Sequence, residues 1–430
     1  MTRSGRPKLG AYTGLGAFGL LGALVVARPE IVALTAPFLL ALGVGLALAE
    51  RPRLRLRLEL DAERALEGDD VDARLELAAE APLDRLELYL RLPEGLVAPA
   101  DAPNPTTVRL RRGEERTVEL TLHAARWGGH VVGPVYTRAT DPLGLLSWET
   151  TFDVREPLRV YPREEQVRRL LAPRETQVLA GNAVARRKGQ GIEYADIRPF
   201  APGDQLRRVN WRASATSLSG GGGELWVNEA HPERNVDVIL FLDSFAEARL
   251  AGEGTLDLAV RATATLADAY LSRRDRVGLI AYGGILRWLL PGMGMLQHYR
   301  ILDALLDTEV VLSYYWHAID LIPRRTLPPN ALVVALTPLL DERSVGALLD
   351  LRARGFDLAV IDVSPVPFTR VPSASLDRLA YRIWDLRRDA QRHRFERVGV
   401  AVAEWRRGGD LQVVLEEVTG FRRHARHARV

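Results

Sequence analysis

The residues best suited to bind or transform a charged group lie between positions 204 and 212. Asp204 is followed by Arg207, Arg208, Asn210, Trp211 and Arg212. Guanidinium groups present a planar fork of donors, so this cluster could bind a carboxylate or a phosphate. It could equally be an internal clamp in which Asp204 pairs with Arg207 and Trp211 fills a seam between a linker and a sheet. We prefer the clamp, which predicts that Trp211→Ala lowers thermal stability, and keep partner docking and catalysis as alternatives.

The familiar catalytic motifs do not occur in the sequence. Cysteine is absent, which excludes thiol nucleophiles, thiolate zinc sites and disulfides. Neither Lys8 nor Lys188 ends a Gly-x-x-x-x-Gly-Lys phosphate loop. No Gly-x-Ser-x-Gly or His-Glu-x-x-His motif occurs either. We therefore predict that the chain is not an enzyme and binds no organic cofactor.

The charge of the chain is weakly basic, with a formal value of +3. Its densest basic run, residues 421–430, contains one aromatic residue, Phe421, whereas nucleic-acid surfaces interleave cations with several exposed aromatics. We expect no nucleic-acid partner. Contact of this tail with the inner membrane leaflet and simple solvation both remain open.

The elements that must carry these residues begin with two apolar stretches, Leu9 to Ala27 and Ile31 to Ala49. A helix of 19 residues covers roughly 28 Å, close to the hydrocarbon thickness of a bilayer. Residues 1–50 are therefore predicted to form a transmembrane hairpin in the cell membrane. Arginines and Lys8 flank its outer ends, so the positive-inside rule places both termini in the cytoplasm. A cleaved signal peptide is the alternative.

Small residues spaced by four could bring the two helices close together. They are Gly10 and Gly14 in the first stretch, and Ala41, Gly45 and Ala49 in the second. The same residues could also be simple apolar filler.

Residues 51–162 show apolar residues at every second position, as in Leu54, Leu56, Leu58 and Leu60. This period predicts an antiparallel β-sandwich. Trp127, Tyr136 and Trp148 are expected in its core or corners. Residues 163–234 are predicted to be a linker, partly helical in its charged first part.

Residues 235–430 alternate apolar strands with longer helical segments, which predicts an α/β domain with a Rossmann-type parallel sheet. Strands are expected at 236–243, 276–282, 286–290, 331–336, 356–363 and 398–405, and helices at 256–273, 296–306, 341–354 and 411–423. In such sheets the functional surface lies beyond the carboxyl ends of the strands.

The segment around the first cluster resembles the signature of the bacterial family catalogued as domain of unknown function 58. The matching residues are Glu193, Arg198, Phe200, Pro202, Gly203, Asp204, Arg207, Asn210, Trp211 and Ala215. The turns at residues 141–145 and 160–162 are similar to upstream turns of that family. The resemblance implies a von Willebrand A-like fold for the last domain. It also implies a partner, because these proteins are associated with MoxR-type AAA+ ATPases.

The resemblance raises the question of a metal, since von Willebrand A domains commonly bind Mg²⁺ through Asp-x-Ser-x-Ser, a threonine and a second aspartate. Here Asp243 matches, but Phe245 and Glu247 stand where the serines are expected. A third loop places Asp341 after Thr337, displaced from the family position. Asp243, Glu247 and Asp341 are thus weak candidates, and a metal-free domain is favoured, in which Asp243 either caps a helix or bonds loop amides.

The function predicted from these features is a membrane-anchored cytoplasmic scaffold or adaptor that binds another protein. The first alternative is a cation-dependent adhesion or ligand-binding receptor. The second is an enzyme that uses the Asp204 to Arg212 cluster, which would require an open pocket there.

Overall fold

The computed structural model describes residues 2–47, 49, 51–81, 83–99, 104–173, 193–201, 206, 209–219, 225–231, 236–310, 327–328, 331–370 and 373–427. The chain forms two compact units, Met1–Arg163 and Glu164–Val430. The first contains apolar helices and antiparallel sheets, and the second contains a sheet that is mostly parallel.

The first unit begins with two helices, α1 (Pro7–Val26) and α2 (Glu30–Ala47). Both are long and apolar enough to cross a membrane, with mean hydropathy of 1.8 and 2.0. The bounds agree within a few residues with the two stretches expected from the sequence. Membrane anchoring is therefore suggested by the length and composition of both helices.

The two helices pack through glycines other than those expected. A Cβ atom on Gly16 would collide with Leu39, and one on Gly19 would collide with Thr35. Gly10 and Gly14 have open space around their Cβ positions, and Gly45 faces Leu145 of a later loop instead of α1. Gly10, Gly14 and Gly45 therefore do not make the close contact that their spacing allowed, because spacing by four identifies one face of a helix without identifying which face meets the neighbour.

Twelve strands complete the described part of the first unit. They are β1 (Thr2–Gly5), β2 (Leu54–Leu60), β3 (Arg64–Leu66), β4 (Asp70–Ala79), β5 (Leu83–Leu90), β6 (Leu96–Val97), β7 (Thr106–Leu110), β8 (Glu115–Ala124), β9 (Gly128–Val132), β10 (Val135–Thr140), β11 (Leu146–Phe152) and β12 (Glu156–Tyr161). The sheet orders are β1-β11-β10-β5-β7, β2-β4-β8-β6 and β3-β12-β9. All pairs are antiparallel except β3 with β12.

The sheets of this unit share their cores, because alternate residues of each strand point to one face. One buried cluster joins Leu75 of β4, Leu122 of β8, Val135 of β10 and Leu158 of β12. The period-two pattern of the sequence is the cause of this packing. Trp127 and Trp148 are buried as expected, whereas Tyr136 is exposed beside Tyr89, with ring centroids 6.0 Å apart.

The helical hairpin is attached to these sheets at both of its outer ends. Strand β1, just before α1, pairs with β11, and the amide of Arg6 donates to the carbonyl of Leu145 at 2.9 Å. Leu42 of α2 packs in one buried cluster with Leu145, Leu146 and Trp148. The loop is shaped by Asp141, whose carboxylate accepts from the amides of Leu143 and Leu146. The start of α1 and the end of α2 therefore lie together at the end of the hairpin that contacts the sheets.

The second unit contains ten strands and six helices among its described residues. The strands are β13 (Glu193–Pro199), β14 (Trp226–His231), β15 (Asp237–Ser244), β16 (Arg249–Leu250), β17 (Glu253–Gly254), β18 (Arg276–Gly283), β19 (Arg287–Gly292), β20 (Leu332–Thr337), β21 (Asp357–Val363) and β22 (Ala401–Trp405). The helices are α3 (Trp211–Ser219), α4 (Thr255–Ser272), α5 (Gly294–Leu306), α6 (Glu342–Ala353), α7 (Ser375–Arg397) and α8 (Leu411–His427).

The main sheet has the order β19-β18-β15-β20-β21-β22. Neighbouring strands are parallel except the edge pair of β18 and β19. The chain leaves β15 toward β18 on one side and returns to β20 on the other. This switch of direction marks the carboxyl ends of β15 and β20, hereafter the crevice, as the place where ligands of open α/β sheets usually bind.

All six expected strands and four expected helices of this unit are present within a few residues of their predicted bounds. Helix α7 was missed, because its many charged residues hide the apolar spacing. In the first part of the basic tail, α8 continues to His427, and buried Arg422 pairs with Asp357. Residues 428–430 lie outside the described residues.

The start of the predicted linker lies on the second unit as an extended strap, residues 164–173, without a helix. Buried Leu171 accepts a 2.9 Å hydrogen bond at its carbonyl from the Tyr270 hydroxyl of α4. The amides of Arg168 and Arg169 both donate to the side chain of Gln412 on α8. These residues form no helix, because bonds to α4 and α8 satisfy their backbone instead. The rest of the charged part of the linker, residues 174–188, lies outside the described residues.

Candidate functional site

The carboxyl ends of β15 and β20 place Asp243 and Thr337 together. The Thr337 hydroxyl donates to Asp243 Oδ2 at 2.6 Å, and the amide of Phe245 donates to Oδ1 at 3.1 Å. The amide of Leu339 in turn donates to the Thr337 hydroxyl at 3.0 Å. Asp243 and Thr337 are both buried. Asp243 thus bonds a loop amide, which is one of the two roles expected for it from the sequence.

An aromatic and ionic group covers this pair. The ring of Phe245 packs edge-on against Tyr282, with centroids 5.0 Å apart. The guanidinium carbon of Arg343 lies 4.0 Å from the centroid of Phe245, a cation–π arrangement. Asp341 holds that guanidinium with bonds of 2.9 Å from Nε and 2.7 Å from Nη2. Asp341 also caps α6 by accepting from the amide of Arg343.

Burial changes the titration of Asp243. Loss of hydration raises the pKa of its carboxyl to about 6, against the lowering effect of hydrogen bonds such as that from Thr337. The neighbouring charge of Asp341 raises this pKa further. The pKa of Asp341 is lowered, first by its bonds to Arg343. The pKa shifts of the two acids of the crevice therefore have opposite signs.

The residues of this crevice do not fit a magnesium ion. Both Asp243 oxygens already accept hydrogen bonds, Phe245 offers no ligand atom, and Asp341 is engaged by Arg343. Glu247 lies at the β16–β17 hairpin, with an oxygen 3.6 Å from Arg249 Nε. Magnesium requires several oxygen ligands in octahedral geometry, which these four side chains do not provide.

A second buried ionic group lies at the carboxyl end of β21. Arg388 of α7 forms a two-pronged pair with Asp362 at 3.0 and 2.9 Å, and donates to the carbonyl of Pro338 at 3.0 Å. Arg392 adds a contact of 3.0 Å to Asp362, and lies 3.6 Å from Glu404. Asp362 and Arg388 are almost completely buried. This group fixes α7 against the strand ends and was not found from the sequence, because α7 itself was missed.

The signature segment is described in part, and its described part forms a hairpin and a helix. Strands β13 and β14 pair in antiparallel fashion, and the Phe200 amide donates to the Leu225 carbonyl at 2.7 Å. Asn210 begins α3 by accepting from the amide of Ala213 at 3.0 Å, the bond of a helix N-cap. Ala215 lies within α3 and is exposed. Asn210 therefore has a local structural role.

Trp211 does not fill a seam, since 66% of it is exposed at the start of α3. Other residues of α3 hold the helix in place. The Ser214 hydroxyl, for example, accepts a hydrogen bond from the Trp226 amide at 2.8 Å. Arg212 is exposed. Pro202, Gly203, Asp204, Arg207 and Arg208 lie outside the described residues, as do the side chains of Glu193 and Arg198.

Residues 196–364 match the family model of "Protein of unknown function DUF58". The DUF58 match includes α3, Asp243, Thr337 and Asp362, and it ends before α7. The family match therefore covers the carboxyl ends of β15, β20 and β21 but not α7, which bonds Asp362 through Arg388.

A relative from Bacillus subtilis (strain 168), "Uncharacterized protein YeaD", is 23% identical over 171 residues. The alignment spans 39% of this chain and 40% of that protein. Its description assigns no activity.

Solved structures give only weak likenesses. An Escherichia coli alpha-2-macroglobulin fragment has a TM-score of 0.21 at 18% identity, covering 26% of this chain and 17% of that one. The C-terminal domain of wzt has a TM-score of 0.19 at 11% identity, covering 28% and 81%. Values this low carry no argument about fold or function.

Within the DUF58 region, an apolar surface lies on the edge strand β19 and the start of α5. Its exposed members, hereafter the β19–α5 patch, are Trp288, Leu290, Met293, Met295, Leu296 and Tyr299. Gln297 fixes the two elements together, because its buried side-chain amide donates to the carbonyls of Val277 at 2.8 Å and Leu290 at 2.9 Å. Alternation of Trp288 and Leu290 in an edge strand was the signal that could have predicted this surface.

A cluster that the sequence did not predict joins the strap to α4 and α5. His298 Nε2 lies 3.3 Å from Glu164 Oε1, and Asp268 completes a group whose ligand atoms lie within 4.8 Å of one another. The hydrogen bond to Glu164 raises the pKa of His298. Asp243, Glu247 and Asp341 do not form such a group. The His298 contact ties the strap to the second unit.

Proposed function

We propose that the chain is a membrane-anchored adaptor whose second unit binds another protein through the β19–α5 patch. This patch is the observation that carries the proposal. It combines a tryptophan, a tyrosine and two methionines, residue types that are enriched in the cores of protein interfaces. Contiguous apolar patches are rare on the surfaces of soluble proteins, and where they occur they usually mark an interaction site.

The proposed mode of binding needs no bridging cation. The strand-end carboxylate that would hold one is bonded to Thr337 and covered by Phe245 and Arg343. We assign the second unit, by its resemblance and strand order, to the von Willebrand A-like class. The partner proposed from the same resemblance is a MoxR-type AAA+ ATPase. A receptor with a working metal site is less well supported by this geometry.

The anchor is proposed to hold both units in the cytoplasm. The hairpin is bordered by basic residues at its outer ends, and both of these ends contact the sheets of the first unit. Because the chain has no cysteine, single cysteines can report topology. A membrane-impermeant maleimide should label Glu30→Cys in intact cells but Val413→Cys only after lysis. The reverse pattern would place both units outside.

The adaptor function can be tested by direct binding between the full-length chain in nanodiscs and a purified MoxR-type ATPase. The double variant Trp288→Ala, Leu290→Ser should weaken binding at least about tenfold, since buried aromatic anchors dominate interface energies. Val413→Ser removes another exposed apolar residue, on α8, and should leave the affinity unchanged. Asp243→Asn should also bind normally. Loss of binding in Asp243→Asn alone would favour the crevice over the patch.

A further inference from the structure

Helix α7 has two faces with different surroundings. Arg388 and Phe395 are buried on the face that meets the sheet. On the other face, Leu376, Leu379, Ile383 and Leu386 are exposed by 78, 57, 46 and 61%. The first 13 residues of α7, roughly 20 Å of helix, therefore carry apolar side chains that no described element covers.

The spacing of these four residues is that of a coiled-coil seam. They are separated by three, four and three positions, which corresponds to alternating a and d positions of a heptad. A single helix gains nothing from such a stripe in water. The stripe, which we call the α7 seam, therefore fits a second helix that carries a matching stripe.

The charges beside the seam select its orientation. With Leu376 and Ile383 at a positions, Arg382 and Asp389 occupy g positions, and Ala380 and Arg387 occupy e positions. A parallel pair of identical helices would place Arg382 next to Arg387 of the other copy, which is repulsive. An antiparallel pair centred between Ile383 and Leu386 instead places Arg382 opposite Asp389 of the other copy, and Arg387 opposite Ala380.

Arg382 and Asp389 are both available for this contact between the copies. Among the described residues Arg382 forms no ion pair, and Asp389 has only a contact of 3.6 Å with Arg392. We propose that two copies of this chain associate through an antiparallel pair of α7 seams, with the Arg382–Asp389 contact made twice across a two-fold axis. The α7 seam is distinct from the β19–α5 patch.

The expected affinity in dilute solution is low. Stable interfaces bury about 1,200 to 2,000 Å² in total, and four aliphatic side chains per copy fall short of a typical interface core. Two copies anchored in one membrane have a higher effective concentration, which favours weak contacts. The pair should therefore form in membranes.

An anionic lipid surface is the competing occupant of the seam. Interfacial helices display cations along a free polar face, whereas α7 uses its polar face to contact the sheet through Arg388 and Arg392. Acidic residues Asp385 and Asp389 also lie among its exposed arginines. These features favour a protein helix over lipid.

Disulfide cross-linking in membranes tests both the pairing and its direction. Leu379→Cys and Ala390→Cys, on two differently tagged full-length copies expressed together, should form a mixed disulfide because these positions face each other. Either variant alone should cross-link at least about fivefold less, since its two copies would be roughly 16 Å apart along the axis. Val413→Cys is the matched exposed control on α8 and should not cross-link.

Charge reversal then separates self-association from binding to lipid or to an unrelated protein. Arg382→Asp or Asp389→Arg alone should reduce the mixed cross-link severalfold, and the double variant should restore it. Circular dichroism of each variant checks that α7 remains folded. Efficient cross-linking of Leu379→Cys with itself, absence of the mixed product, or failure of the double variant to restore it would overturn the proposal.

Discussion

The Thr337 hydroxyl donates a 2.6 Å hydrogen bond to the buried carboxylate of Asp243, and this bond joins the ends of two adjacent parallel strands. Neither residue is accessible to solvent. The bond therefore compensates part of the cost of burying a carboxylate between β15 and β20. The ends of these two strands therefore carry a packed structural contact that Phe245 and Arg343 cover.

Replacement of Thr337 by valine should reveal the value of this bond. Valine keeps the shape but leaves an oxygen of Asp243 without its donor, which we expect to cost about 1 to 3 kcal/mol in the free energy of unfolding. Thr337→Ser keeps the hydroxyl and should lose less. Denaturant unfolding of the full-length chain in detergent measures both. Equal losses would show that the methyl group, and not the hydrogen bond, is important.

Asp243 should make the protein less stable as pH rises from about 4 to about 6. Its pKa is raised from an ordinary 3.8 to about 6, so the folded state binds more protons than the unfolded state in that range. The free energy of unfolding then falls with pH, by about 3 kcal/mol for this group. Asp243→Asn should flatten the dependence of melting temperature on pH between 4 and 7.

Asp341→Asn is the control for that measurement, because the pKa of Asp341 is lowered by Arg343. The stability that this acid contributes is present above its ordinary pKa and is lost as pH falls. Its removal should therefore lower the melting temperature at pH 7 and have less effect near pH 3. If the melting temperatures of both variants changed with pH in the same way, the opposite pKa shifts of the two acids would be contradicted.

The sequence predicted the α/β unit well because its strands are continuous apolar runs. Val238 to Leu242 are all buried, and a continuous apolar run bounded by turns is typical of a strand in a parallel sheet. It predicted α7 poorly, since Leu376, Leu379, Ile383 and Leu386 are dispersed among arginines and aspartates. The pairing of Arg388 with Asp362 joins two elements and has no signal in the local sequence. Pairing between elements distant in sequence is decided by the fold and cannot be inferred from local pattern.

Gly19 should be essential for the packing of α1 on α2. A Cβ at this position would collide with Thr35, whereas one at Gly14 would meet open space. Gly19→Ala should lower the melting temperature in detergent, and Gly14→Ala should not. Addition of Thr35→Gly to Gly19→Ala should recover part of the loss, because it removes the colliding group. No recovery would mean that the helices pack by another face.

The strap should be held most firmly at low pH. Glu164 raises the pKa of His298, so the stabilisation is fully present below the ordinary value of 6.5 and is lost as pH rises through the raised value. Asp268 acts in the same direction. Glu164→Gln should reduce stability at pH 5.5 by less than about 1 kcal/mol, since the pair is partly exposed, and should change little at pH 9. Glu165→Gln, a neighbour outside this cluster, should show no such dependence on pH.

Substitutions at Asn210 and Trp211 should show which residue of the signature segment stabilises the fold and which is free to contact a partner. Asn210 caps α3, so Asn210→Ala should cost about 1 kcal/mol, and Asn210→Asp should cost less because aspartate also caps helices. Trp211 is largely exposed, so Trp211→Ala should change stability by less than about 0.5 kcal/mol. Thermal melting of the three variants, followed by the nanodisc binding assay, makes the comparison. If Trp211→Ala destabilised the chain more than Asn210→Ala, the clamp would be restored and the exposed tryptophan would no longer be a candidate for partner contact.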